Sequence, residues 1–208
     1  MPTRYDQLSD LYRRAHEQAS KRRDAATELA GLLVRELESS LGVPEKLRAN
    51  ERTRINPQGL KDALARVTEA EAGLLDPGTP MPAIELCSVP ERDDEPVHRI
   101  VPTPLTAAVT TEDGENYRFG IVMRLYSRSG FPPHPILFRV HMHHKLNDTF
   151  EVRPWVGADP GTYSAVGQQH QALSDFSDQI FNALNSYFTS AVRGEPRKQP
   201  IGFVMLTE

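Results

Sequence analysis

The N-terminal part of the chain repeats its apolar positions with the period of an α-helix. Residues 5–41 contain no proline and one interior glycine, Gly31. Apolar or small side chains recur there three and four residues apart, which places them on one narrow stripe of a long amphipathic helix. Gly42 and Pro44 follow in the order expected just beyond a helix end. This apolar stripe, interrupted by Arg22, consists of Tyr5, Leu8, Tyr12, Ala15, Ala19, Ala26, Leu29 and Leu33.

A second, shorter helix is predicted over residues 57–75. Pro57 suits the first turn of a helix, and Leu60, Leu64 and Val67 repeat with helical spacing. A stripe as narrow as that of the first helix suits packing along another helix. That helix is either the second one, which gives a helical hairpin, or a helix of another chain.

Residues 76–104 have the composition of a connector. Seven prolines and the acidic run at 91–95 fall in this segment, and they disfavour both helix and central strand. One short strand is predicted within it, over residues 83–89.

The C-terminal half alternates apolar and polar residues with the period of a β-strand. The turn-forming pairs Asp113-Gly114 and Asn147-Asp148 divide residues 105–156 into two hairpins. A proline-rich loop at 127–135 joins them and is long enough to cover a sheet edge. Strands are predicted over residues 105–111, 116–127, 136–146 and 149–156.

A third helix and a closing strand complete the pattern. The helix is predicted over residues 164–193, with Gly194 as its stop and a strand over 201–206 behind it. Its apolar stripe is the widest in the chain, so we expect it to cover the sheet. The stripe consists of Leu173, Phe176, Ile180, Leu184, Tyr187 and Phe188.

These elements predict the α+β class. A helical hairpin or arm over residues 1–75 and the connector over 76–104 precede a domain over 105–208. That domain is an antiparallel sheet of about five strands packed against one long C-terminal helix.

Composition and charge narrow the class of protein. The chain has 208 residues, of which 38% are hydrophobic and 25% charged, and a net charge of −4, which disfavours a surface devoted to polyanions. Its polar N-terminus and the lack of a long apolar run predict neither secretion nor a membrane span. Cys87, the only cysteine, allows no internal disulfide and agrees with a cytoplasmic location.

A histidine pair is one candidate for chemistry. His141 and His143 are two residues apart on a predicted strand, so both imidazoles lie on one sheet face. A transition metal would need further ligands, which Glu151, His134 or His98 could supply. The alternative is that the two histidines simply lie on the solvated face of the sheet.

The same face is predicted to be basic. Arginine binds phosphate and carboxylate bidentately, so such a face suits an anionic ligand or nucleic acid, and Tyr126 or Trp155 could stack a base. The alternative is a solvated outer face, partly neutralised by Glu151 and Glu115. The predicted ligand-binding residues are Arg124, Arg139, His141, His143 and Arg153, with Arg118 and Lys145 nearby.

No motif fixes a reaction. The sequence has no glycine-rich phosphate loop, dinucleotide fingerprint, nucleophile elbow or zinc-protease helix, and no cofactor is predicted. The leading hypothesis is a non-catalytic interaction or accessory protein, acting as a homo-oligomer or as a subunit of a larger assembly through the first helix. The alternatives are a module that binds a phosphate-bearing ligand or nucleic acid, and a metal-dependent enzyme built on the histidine pair.

Overall fold

The computed structural model describes residues 3–44, 47–48, 82–89, 103, 105–111, 113–125, 135–145, 149–155, 158–164, 170–193 and 203–205. It confirms the α+β class: a long N-terminal helix, an antiparallel sheet and a C-terminal helix. In chain order the elements are α1 (Arg4–Ser40), β1 (Ile84–Cys87), α2 (Leu105–Ala108), β2 (Thr110–Thr111), β3 (Asn116–Arg124), β4 (Pro135–His144), β5 (Thr149–Arg153), β6 (Gly161–Ser164), α3 (His170–Val192) and β7 (Phe203–Met205).

Helix α1 is about 55 Å long and is capped at both ends. At its start the Thr3 hydroxyl accepts from the Asp6 N–H at 3.2 Å, and the Asp6 carboxylate accepts from the Thr3 N–H at 2.8 Å. The Thr3 hydroxyl also donates to the Asp6 carboxylate at 2.7 Å, and this bond, together with that from the Thr3 N–H, lowers the pKa of the Asp6 carboxyl. At its end Gly42 has φ +62°, and the Val43 N–H donates to the Glu38 carbonyl at 2.9 Å. Glycine adopts this left-handed conformation without strain, so the helix ends where the sequence predicts.

The sheet is antiparallel throughout its described pairings. Its main path runs β1-β3-β4-β5-β6, with β2 pairing to β3 and β7 to β4. The central pair, β3 and β4, is in register from Asn116 opposite His143 to Arg124 opposite Pro135. The sheet is antiparallel, as predicted, and has seven described strands, of which β1 and β7 correspond to the predicted strands at 83–89 and 201–206.

The core lies between one face of this sheet and the two long helices. Because side chains alternate along a strand, β3 and β4 each send every second residue to this inner face. Phe119 and Phe138 lie there fully buried, together with Leu33 of α1 and Phe176 of α3. A smaller buried cluster on the opposite, outer face contains Cys87, Val89, Val122 and Leu137.

Two sequence predictions are corrected. Residues 105–108, predicted as strand, form the helical turn α2, which brings Leu105 so close to α1 that a Cβ on Gly31 would lie 3.0 Å from it. Residues 161–164, where no strand is predicted, form strand β6, and the third helix begins at His170 rather than at the predicted Ser164. The predicted helix at 57–75 and most of the predicted loop at 127–135 lie outside the described residues.

Within the described ranges, no helix has an apolar stretch that could cross a membrane.

Gly120 is a position in the sheet where the packing leaves no room for a side chain. A Cβ there would lie 2.8 Å from Val89 Cγ1 and 3.0 Å from Leu137 Cδ1, and would also meet Cys87 Sγ. We therefore expect Gly120→Ala to lower the free energy of unfolding by about 1–3 kcal/mol, measured by urea denaturation. In a Cys87→Ala background the same change should cost less, because one obstructing atom is gone. Equal stability of Gly120→Ala and the wild type would contradict this close packing.

Candidate functional site

Two of the predicted ligand-binding residues, His141 and Arg153, form one row with the nearby Arg118 across the outer face of the sheet. Arg118 of β3 is paired with His141 of β4, and His141 is paired with Arg153 of β5. Adjacent strands lie about 4.8 Å apart, so the three side chains start within about 10 Å of one another. We call Arg118, His141 and Arg153 the basic row.

Arg139 and Lys145 extend the basic row along β4. Arg139 lies two residues from His141 on the same face and opposite Gly120. Lys145 follows the other end of the strand and is half exposed. Apart from Arg124, the described residues of this outer face thus include four cationic side chains, Arg118, Arg139, Lys145 and Arg153, near the carboxylate of Glu151.

Glu151 is already engaged by two of these cations. Its carboxylate oxygens lie 2.8 Å from Arg153 Nη2 and 3.1 Å from Lys145 Nζ. Hydrogen bonds from Lys145 and Arg153, and the charges of both, lower the pKa of the Glu151 carboxyl. The ion pairs fix Arg153 within the basic row and neutralise part of its positive charge.

The histidine pair has the predicted placement on one face of the sheet. His141 and His143 share the outer face, and His143 Nδ1 lies 2.9 Å from Asn116 Oδ1. Glu151 is opposite His143, but its carboxylate is turned to the two cations. In the part of the chain that the structure describes, no three histidine, cysteine or acidic side chains are grouped so that they could hold a metal ion. His98 and His134 lie outside that part.

Arg124 is on the predicted face but does not join the basic row. Its side chain is 7% exposed and forms an ion pair with Glu85 of β1, and it also donates to the Pro82 carbonyl at 3.1 Å. This buried pair fastens the edge strand β1 to β3. Arg124 is therefore a structural residue, which corrects its prediction as a ligand-binding residue.

Trp155 differs from its predicted role as a base-stacking residue, whereas Cys87 lies in the core. Trp155 packs on the inner side of the sheet, 6.3 Å between ring centroids from Phe138, so it does not lie over the basic row. Cys87 is fully buried, and burial raises the pKa of its thiol to about 12, with a smaller contribution from the charge of Glu85. Cys87 is thus a protonated core residue, as its apolar neighbours predict. Tyr126 lies outside the described residues.

The other candidate site is the free end of α1. Residues 4–21, which we call the arm, are exposed on all sides, and their apolar stripe continues into the part of the helix that is buried. Tyr5 is 79% exposed, Leu8 66%, Leu11 61% and Tyr12 75%, whereas Ala26, Leu29 and Leu33 are fully buried in the core. The predicted stripe therefore divides into a half that packs within this chain and a half that the described residues leave uncovered.

Some features of these sites were not foreseen from the sequence. The Glu85–Arg124 pair joins residues 39 positions apart, and no local signal identifies such a partner. The position of α2 beside α1 was also missed, although Gly31 within an otherwise unbroken helix is a signal of close approach. Leu11 was missed because it lies next to the apolar stripe rather than on it.

Comparison with known proteins identifies no family: no family model matches the chain, and neither does any curated protein or solved structure. Any proposed function therefore rests on the structure of the two candidate sites, the basic row and the arm.

The buried ion pair predicts a specific stability pattern. Arg124→Met leaves the Glu85 carboxylate without its partner in a largely buried position, so we expect a loss of about 3 kcal/mol in the free energy of unfolding. The double variant Glu85→Met, Arg124→Met should be markedly closer to wild type, because neither charge remains buried. Urea denaturation of the three proteins measures both effects. If the single and double variants were equally destabilised, the coupling between the two side chains would be refuted.

Proposed function

We propose that the chain is a non-catalytic interaction or accessory protein that binds its partner through the arm. The single observation that supports this function most strongly is the exposure of Tyr5, Leu8, Leu11 and Tyr12 on one helix. Large side chains exposed together in this way are typical of interaction sites rather than of ordinary surface.

The energetics of an isolated helix support the same function. An exposed helix of the arm's length is marginally stable in water on its own, even with a good N-cap. The arm adds only surface ion pairs, at 3.5 Å between Asp10 and Arg13 and 2.8 Å between Arg13 and Glu17. Such exposed pairs contribute little to the stability of a helix, because water screens them. Burial of the stripe against a partner would supply the missing stabilisation.

Affinity capture from extracts of the source cells, followed by mass spectrometry, tests this function. The wild type should retain a stoichiometric protein partner, either another protein or an untagged copy of the chain itself. Leu8→Glu with Tyr12→Glu should lose it, because burying a carboxylate in the interface is strongly unfavourable. The matched control is Asp10→Ala with Glu17→Ala, which changes the charged face of the same helix and should retain the partner.

Circular dichroism of the variants tests whether a loss of binding results from unfolding rather than from the changed arm. Both double variants should keep the folded body, since residues 4–21 make no part of its core. Capture that is equal for all three proteins, or absent from all three, would refute the arm as the binding element.

A second candidate function is the binding of a phosphate-bearing ligand or nucleic acid on the outer face. Its supporting observation is the cross-strand row Arg118, His141 and Arg153, with Arg139 and Lys145 adjacent. Closely spaced guanidinium groups on a rigid sheet suit the geometry of phosphate oxygens. The net charge of −4 makes this a local property of the face and not of the whole surface.

Fluorescence anisotropy with a labelled single-stranded oligonucleotide, and competition by pyrophosphate, tests the second candidate. Arg118→Ala, Arg139→Ala or Arg153→Ala should each weaken binding about fivefold to tenfold and lower the salt slope by about 1. Glu151→Gln should strengthen binding, because it releases Arg153 and Lys145 from their shared carboxylate. Binding that does not respond to salt or to these changes would exclude the face as an anion site.

A further inference from the structure

Three arginines of the outer face lie in two neighbouring rows of the sheet. Two of them belong to the basic row, and the third, Arg139, lies in the next row, opposite Gly120. We call the basic row together with Arg139 the basic patch. Adjacent strands are about 4.8 Å apart, and residues two apart on a strand are about 7 Å apart. The patch therefore measures about 10 Å across the strands and about 7 Å along them.

Groups of a different kind border the basic patch at both ends along the strands. On one side the next row is Val122 and Leu137, which are buried in the apolar cluster of this face. On the other side the next row contains Asn116 and Glu151, and the Asp113 carboxylate accepts from Asn116 Nδ2 at 2.6 Å. The patch thus lies between an apolar cluster and two carboxylates, so a long polyanion lying along the strands would extend beyond the cations.

The aromatic rings of the strands that carry the basic patch point away from it. The phenyl and phenol rings of β3, β4 and β5 are those of Tyr117, Phe119, Phe138 and Phe150, and all four are buried in the core on the inner face. Proteins that bind single-stranded nucleic acid stack bases on such rings along a basic groove of roughly four or more nucleotides. A small patch whose strands turn their rings inward suits a compact anion better than a nucleic-acid strand.

The Glu151 carboxylate already binds at the edge of this patch as an anionic ligand would. Its Oε1 accepts from Arg153 Nη2 at 2.8 Å, and its Oε2 lies 3.1 Å from Lys145 Nζ. The Arg153 and Lys145 side chains are each 46% exposed, so a ligand can reach both cations from solvent. Ion pairs between exposed side chains are weak, which allows an anion of higher charge to replace the carboxylate.

We propose that the basic patch binds a compact anion with two or three linked phosphate groups, which displaces the Glu151 carboxylate from Arg153 and Lys145. The proposal rests on the second candidate function and names the ligand class of that site. Arginine binds phosphate oxygens bidentately, and the guanidinium groups start on different sides of His141. Linked phosphate groups can therefore engage several of them at once, whereas a single phosphate group engages fewer.

Isothermal titration calorimetry of the full chain, in buffer without divalent cations, tests the ligand class. Inorganic triphosphate should bind with a stoichiometry of one and at least about tenfold more tightly than orthophosphate, because it makes more charge-assisted hydrogen bonds. Arg118→Gln and Arg153→Gln should each weaken triphosphate binding about fivefold to tenfold.

The matched control is Arg35→Gln, which removes the same charge from the exposed side of α1, beyond the inner face of the sheet. It should bind triphosphate like the wild type. Triphosphate that does not bind, that binds no more tightly than orthophosphate, or that responds equally to Arg35→Gln and Arg153→Gln would overturn the proposal.

The displacement of Glu151 has its own readouts. Glu151→Gln should strengthen triphosphate binding by about threefold or more, whereas Glu28→Gln, the same change on the exposed side of α1, should not. In the wild type, an NMR titration should show that triphosphate raises the pKa of the Glu151 carboxyl. Lys145 and Arg153 hold this pKa below its ordinary value, and the ligand takes up both cations and adds negative charge. A pKa that triphosphate leaves unchanged would refute the displacement.

Competition with a labelled single-stranded oligonucleotide separates this proposal from the second candidate function. Triphosphate should displace the oligonucleotide at concentrations near its own dissociation constant. If the oligonucleotide binds in a salt-sensitive, Arg153-dependent way but triphosphate neither binds nor competes, the compact ligand is refuted and nucleic-acid binding by the outer face stands. If neither anion binds, both the ligand class and the second candidate function are refuted.

Discussion

The pairing of β3 with β4 is the interaction on which the rest of the molecule depends. Its register, running from Asn116 opposite His143 to Arg124 opposite Pro135, decides the face on which every side chain of both strands lies. With this register Phe119 and Phe138 meet the two helices. A shift by one residue would place the arginines and histidines in the core and the phenylalanines in water. Core and basic row are therefore two consequences of one set of backbone hydrogen bonds.

Much of the fold could be predicted because its main signals are local. The end of α1 at Gly42, the apolar stripe of α3 and the turn at Asp113-Gly114 each depend on residues close together in the chain. The Asp113 carboxylate accepts hydrogen bonds from the Asn116 and Glu115 N–H groups, which lower its pKa to about 2. The chemistry that marks a turn in the sequence is the same chemistry that stabilises it.

The features that escaped prediction depend on contacts between distant parts of the chain. Strand β6 is four residues long, and its place in the sheet follows from pairing with β5 rather than from its own composition. The ion pair between Glu85 and Arg124 likewise exists only after β1 joins β3. For the candidate site, period-two alternation correctly placed His141 and Arg153 on one face. It could not show that Arg124 is buried, because burial depends on the neighbouring strand.

The capped, uninterrupted course of α1 makes the helix a lever as well as a structural element. Its inner half is clamped between sheet and α3, and its outer half projects about 30 Å from that clamp at Ala26 to Tyr5. A tilt of about 10° at the clamp would displace the tip by roughly 5 Å, because a helix of this kind turns as a rigid rod. A molecule bound at the tip would therefore exert a torque on the packing around Leu29 and Leu33. Binding at the N-terminal tip of α1 would thus be mechanically coupled to the core that surrounds the other half of the helix.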